Sequence, residues 1–120
     1  MELTAKQKEL LLRRKFVVLA TADLNYNPRA IIVEINKAEG DELIITDNEM
    51  DTTRNNLLAN NKVFVLAFEQ DYSFCLKISG KAEYYREGDY FDFVKKLETN
   101  KNQTPNGAIV IKIDSIIEFK

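Results

Sequence analysis

The sequence predicts a mainly β protein: a six-stranded antiparallel barrel with helices at its rim. Three observations predict it. Short apolar runs rich in β-branched residues recur along the chain, as at 16–22, 62–69 and 107–113. Most are joined by connections too short for the helical crossovers that parallel strands require. Only three segments carry helical spacing, and they fall between groups of strands.

Thr4 is placed to cap a first helix that runs to about Arg14, with Leu10, Leu11 and Leu12 clustered beside Lys6, Lys8, Arg13 and Arg14. Residues 16–22, FVVLATA, form a first buried strand. DLNYNP has turn chemistry, and Pro28 interrupts the ladder there. Residues 29–36, RAIIVEIN, form a second strand that is largely apolar on both faces. KAEGD is a hairpin turn around Gly40, and ELIIT (42–46) a third strand.

A short helix follows from about Thr52 to Ala59, with Asp51 as its cap and Asn60 and Asn61 at its end. KVFVLAFE (62–69) and SFCLKISGKAEYY (73–85) are the fourth and fifth strands, joined closely enough to be antiparallel neighbours. Residues 86–100 form an amphipathic helix whose Tyr90, Phe91, Val94 and Leu97 share one face. NKNQTPNG is a polar loop. GAIVIKI is the sixth strand, and SIIEFK is a candidate short seventh. No repeat or interdomain linker divides the chain, so residues 1–120 read as one domain.

Composition narrows the chemistry. With 17 basic and 19 acidic residues the chain has no general attraction for nucleic acid or anionic membrane. It has no histidine, which removes Ser–His and Cys–His nucleophile pairs, histidine-bound haem and the usual zinc sites. Cys75 is the sole cysteine, and no metal site is expected. Asp47, Glu49 and Asp51 alternate but lack the glycine turn and terminal glutamate of a calcium loop. No apolar run approaches the ~20 residues that span a bilayer. The amphipathic N-terminal segment does not have the form of a signal peptide, so the expected location is the cytoplasm. No catalytic residue is assigned. If the protein is an enzyme, a bound cofactor is expected to supply its reactivity.

The start of the second helix is the sharpest site candidate. Thr52, Thr53 and Arg54 would gather two hydroxyls, a guanidinium and unpaired amides where the helix dipole favours an anion. An ordinary capped helix with a solvated arginine is the plain alternative. Lys77, between Leu76 and Ile78, either points into a site or simply alternates outward. Cys75 reads as an inert thiol, and Arg29 as a solvated charge at a strand entrance.

These blocks together resemble the FMN-binding split-barrel family related to pyridoxamine 5′-phosphate oxidase, in its small single-domain form. The blocks are FVVLATADLNYNPRAIIVEI, LIITDNEMDTTRNNLLANNKVFVLAF, and FCLKISGKAEYY followed by a helix and GAIVIKID. The resemblance implies a six-stranded split barrel of FMN-binding type and a homodimer with the cofactor at its interface. It implies that Ile31, Ile32 and Val33 run beside the flavin ring. Thr46, Asp47 and Asn48 would cradle the ring edge and ribityl chain, Thr52, Thr53 and Arg54 the phosphate, and Lys77 would close the site from the partner subunit. Family members often carry Lys or Arg where this chain has Thr52 and Thr53.

The implied activity is that of an FMN-dependent oxidoreductase or electron-transfer protein. The Arg- and His-bearing C-terminal segment of true pyridoxamine phosphate oxidases has no counterpart in these 120 residues, so that activity is not expected. A deazaflavin-binding or cofactor-free dimeric module of the same fold is the alternative.

Overall fold

The computed structural model describes residues 1–119. Its elements are α1 (Ala5–Arg14), β1 (Phe16–Ala22), β2 (Pro28–Glu34), β3 (Lys37–Glu39), β4 (Glu42–Asp47), α2 (Asp51–Ala59), β5 (Lys62–Phe68), β6 (Cys75–Tyr85), α3 (Asp89–Lys95) and β7 (Gly107–Phe119). A 3₁₀ turn, Glu98–Asn100, follows α3. The strands form one antiparallel sheet in the order β2-β1-β5-β6-β7-β4-β3.

The sheet curls on itself. Val33 from β2 and Leu43 and Ile45 from β4, near opposite edges, share one core with Leu19, Val65, Ile78 and Ile111 from the middle. A flat sheet could not bring those edges together. Burying an apolar face of this size therefore drives the half-barrel form. β2 and β4 approach each other without pairing, and this is the split in the barrel.

The antiparallel split barrel stands, with seven strands rather than six. The added strand is β3, where KAEGD reads as a turn alone. Ala38 is buried between exposed Lys37 and Glu39, which is enough for a three-residue ladder with β4 before the true turn at Gly40, whose φ is +59°. The candidate seventh strand is instead the continuation of β7, which pairs with β6 along nearly its whole length. Lys120, the last residue of that candidate, lies outside the described residues. β2 starts at Pro28 because a proline at the first position of an edge strand forfeits no ladder hydrogen bond.

The β6–β7 ladder bends at an irregularity beside Ser79 and Gly80. A Cβ on Gly80 would lie 2.4 Å from the Lys112 carbonyl oxygen, so only glycine permits the two strands to meet there.

α1 closes one mouth of the barrel with Leu10 and Leu11. Thr4 caps it as expected: its hydroxyl accepts the Gln7 amide, and the Gln7 side chain accepts the Thr4 amide. α3 packs Val94 against Ile44, Ala108 and Val110, with Tyr90, Phe91 and Leu97 around them, as its apolar spacing predicts. That helix is shorter than expected, ending at Lys95. In α2 the expected cap is corrected. Asp51 is the first helical residue, Met50 holds the cap position, and neither side chain caps the helix. The carboxylate that meets the helix start is Asp47, whose Oδ1 accepts the Met50 amide at 2.8 Å.

Candidate functional site

The split between β2 and β4 leaves a groove of about 320 Å³, at the small end of ligand-pocket volumes (~300–1,000 Å³). Ile31, Ile32 and Val33 form one wall, and Thr46 and Asn48 the other. The segment after α3 covers it with Thr99, Asn100 and Gln103. Five of the ten expected site residues therefore meet in one place.

The groove is held by amides. The Thr46 hydroxyl donates to Asn36 Oδ1 at 2.7 Å. Asn100 Nδ2 donates to Thr46 Oγ1 at 2.9 Å and to the Val94 carbonyl at 2.8 Å. Those two bonds fix the Asn100 amide, leaving its Oδ1 to accept Asn48 Nδ2 at 3.2 Å. The Asn48 amide is thereby fixed in turn, and its Oδ1 is buried with no partner among the described residues. Leaving a buried acceptor unpaired costs about 1–3 kcal/mol. The orphan suits a ligand that brings an N–H into the groove. An isoalloxazine ring carries one such donor on its pyrimidine edge.

The start of α2 has different chemistry. Asp47 is completely buried. Its carboxylate accepts Arg54 Nε at 2.6 Å, Arg54 Nη2 at 3.3 Å, the Tyr84 hydroxyl at 2.5 Å and the Met50 amide. Burial alone would raise the Asp47 carboxyl, but the bonds from Arg54, Tyr84 and Met50 outweigh it and hold the group below the usual carboxylate range. Burial, then the bond to Asp47, pushes the Tyr84 phenol up. Gly107 makes room for this arrangement, since a Cβ there would lie 2.5 Å from the Tyr84 ring.

The remaining expected residues are dispersed. Thr52 is exposed, whereas Thr53 is buried against the barrel. Arg54 is committed to Asp47. Lys77 lies on the outer face of the sheet with its ammonium 4.0 Å from the Phe119 ring centroid, away from this groove. On that face Ile32, Val18, Leu66, Lys77 and Ile117 line up in register across five strands. Ile32 and Ile117 are 74% and 55% exposed. Ile32 thus belongs to both the groove and the apolar face.

Sequence reasoning missed the bond from Tyr84 to Asp47, and it missed Asn36 and Asn100. Tyr84 reads only as one aromatic among several on strands. Asn100 opens a segment dense in amides, NKNQTPNG, and that density was the available signal. The pairing of Asp47 with Arg54 spans seven residues across a turn, a separation with no fixed geometry in a sequence.

The chain matches the family model described as Pyridoxamine 5′-phosphate oxidase over residues 3–120. An uncharacterized protein of Methanocaldococcus jannaschii is 32% identical over 115 residues, covering 91% of this chain and 76% of that protein. Among solved structures, HupZ of Group A Streptococcus superposes with a TM-score of 0.86 at 21% identity, covering 98% of this chain and 94% of that one. An FMN-binding protein from Syntrophomonas wolfei superposes with a TM-score of 0.81 at 23% identity, covering 94% and 83%. At these identities the superpositions speak for the fold.

Proposed function

We propose that this chain, which belongs to the pyridoxamine 5′-phosphate oxidase family, is a flavin-binding redox protein that takes FMN. The observation that carries the reading is the split groove. It offers three apolar strand residues, a fixed amide network and an orphaned Asn48 acceptor at the split of a half-barrel. FMN, when bound, supplies hydride or electron transfer. The chain's own residues orient it. Ile31 and Val33 would present a β-strand edge to the ring, Asn48 would accept a ring N–H, and Thr46 holds Asn36 and Asn100 in place. The phosphate tail would lie toward the start of α2, where Thr52 and Thr53 stand beside Arg54.

The same reading makes the protein a homodimer. The apolar row on the outer face runs into the groove at Ile32, so a second copy seated on that face would also close the site, with Lys77 at the interface. Apolar faces that continue into a ligand groove mark association surfaces. FMN added to the purified protein is expected to lose fluorescence, raise the melting temperature and bind one molecule per chain in native mass spectrometry. Leu66→Glu, in the middle of the row, is expected to give a monomer in light scattering and to lose FMN with it. A wild-type protein that leaves both FMN fluorescence and its own melting temperature unchanged would defeat the flavin reading. Capture of a deazaflavin instead would move the reading to that cofactor.

A further inference from the structure

We propose that Asp47 withholds Arg54 from the ligand, so that the start of α2 gives a phosphorylated flavin no advantage over an unphosphorylated one. The inference rests on the flavin reading and concerns the opposite end of the ligand.

Arg54 donates through Nε and Nη2 to both oxygens of one carboxylate. That side-on pair engages the edge of the guanidinium best shaped for an oxyanion. The carboxylate cannot be left behind. Asp47 is wholly buried and is held from other directions by Tyr84 and Met50, so swinging Arg54 toward a phosphate would strand a buried negative charge. Arg54 Nη1 is 3.8 Å from Asp51 Oδ1, so the free edge of the guanidinium also faces a carboxylate.

Among the described residues of the same chain, no other cation takes over at this point. Glu34 and Glu49 line the groove, and among the described residues no lysine or arginine does. Arg29 stands exposed near the start of β2, outside the groove lining. Within the same chain Lys77 sits over Phe119 on the outer face, away from the α2 start. The helix dipole and Thr52 favour an anion at the α2 start, while Glu49 and Asp51 oppose it. The ring end therefore carries recognition, and the tail phosphate gains nothing from the start of α2.

Titrating the wild-type protein with FMN and with riboflavin, followed by quenching of flavin fluorescence, tests this directly. The two dissociation constants are expected to agree within about threefold. Asp47→Asn, checked for folding by its melting transition, frees Arg54. It is expected to tighten FMN about tenfold while leaving riboflavin unchanged. Asp47→Asn with Arg54→Gln is expected to abolish that gain. A wild-type preference for FMN of about tenfold or more would overturn the inference while leaving the flavin reading intact. An Asp47→Asn protein that folds but keeps the wild-type ratio would overturn it too. If neither flavin binds the wild-type chain, the flavin reading fails and takes this inference with it. Should Asp47→Asn not fold, the wild-type ratio alone decides.

Discussion

The two ends of the candidate site solve the problem of buried polarity in opposite ways. At the β2–β4 groove, neutral amides and hydroxyls share hydrogen bonds along a chain from Asn36 through Thr46 and Asn100 to Asn48, and one acceptor is left over. At the α2 start, one buried carboxylate is saturated by a guanidinium, a phenol and an amide, and the cluster is closed. An incomplete neutral network can receive a ligand. A complete ionic one fixes the backbone around it and leaves little to offer. Recognition and rigidity are thus separated by only the few residues between Thr46 and Arg54.

The sharpest way to break this contrast is to remove the carboxylate. Asp47→Ala leaves Arg54 and Tyr84 without their shared acceptor, and breaking a buried pair in this way costs about 3–5 kcal/mol. Urea denaturation would read that loss. The same carboxylate makes a prediction about acid. Its folded pKa lies below the unfolded value of about 3.9, so its stabilisation is present above that pH and disappears as pH falls through the folded pKa. Asp47→Asn is expected to flatten the acid limb of the stability curve relative to wild type. A variant whose stability falls as steeply as wild type between about pH 4 and pH 2 would show that other carboxylates control that limb.

Removing an amide from the neutral end is expected to cost less stability. Asn100→Ala deletes the donor to Thr46 and Val94 and the acceptor for Asn48. The expected loss is about 1–3 kcal/mol. Its larger signature is on binding. With the covering segment released and the Asn48 amide free to turn, affinity for riboflavin and FMN should fall together, without a change in their ratio. An equal fall for both flavins, set against the selective effect of Asp47→Asn, separates the ring end from the tail end in a single assay.

Much of the fold was legible because its signals are periodic. The β-branched runs, the Thr4 cap and the apolar face of α3 each depend on spacings that a helix or strand enforces. β3 escaped because three residues hold too little alternation to stand out from a turn. The site was legible only in part, for a related reason. Ile31, Ile32 and Val33 lie from the middle to the end of one recognisable strand and Thr46 and Asn48 at and just past the end of another, and the curl of the sheet brings them together. The role of Arg54 was not legible. Its helix position points to a solvated or anion-binding guanidinium, and only tertiary packing shows Asp47 folded beneath it and Tyr84 arriving from β6. Asn100 stayed hidden because an amide in a polar segment gives no sign of burial, yet it is 4% exposed.

The smallest effect belongs to Thr99, and it tests whether Asn100 alone anchors the cover. The Thr99 hydroxyl donates to Glu34 Oε1 at 3.3 Å in an exposed position, whereas Asn100, next in sequence, makes three buried or half-buried bonds. An exposed, long hydrogen bond competes with water at both partners, so its net worth is small. Thr99→Val is therefore expected to change stability by no more than about 0.5 kcal/mol and to leave flavin affinity within about twofold of wild type. A loss comparable to that of Asn100→Ala would mean that the cover is pinned to β2 as firmly as to β4. The groove would then be bridged from both edges, and its amide network would no longer be the element that keeps it open.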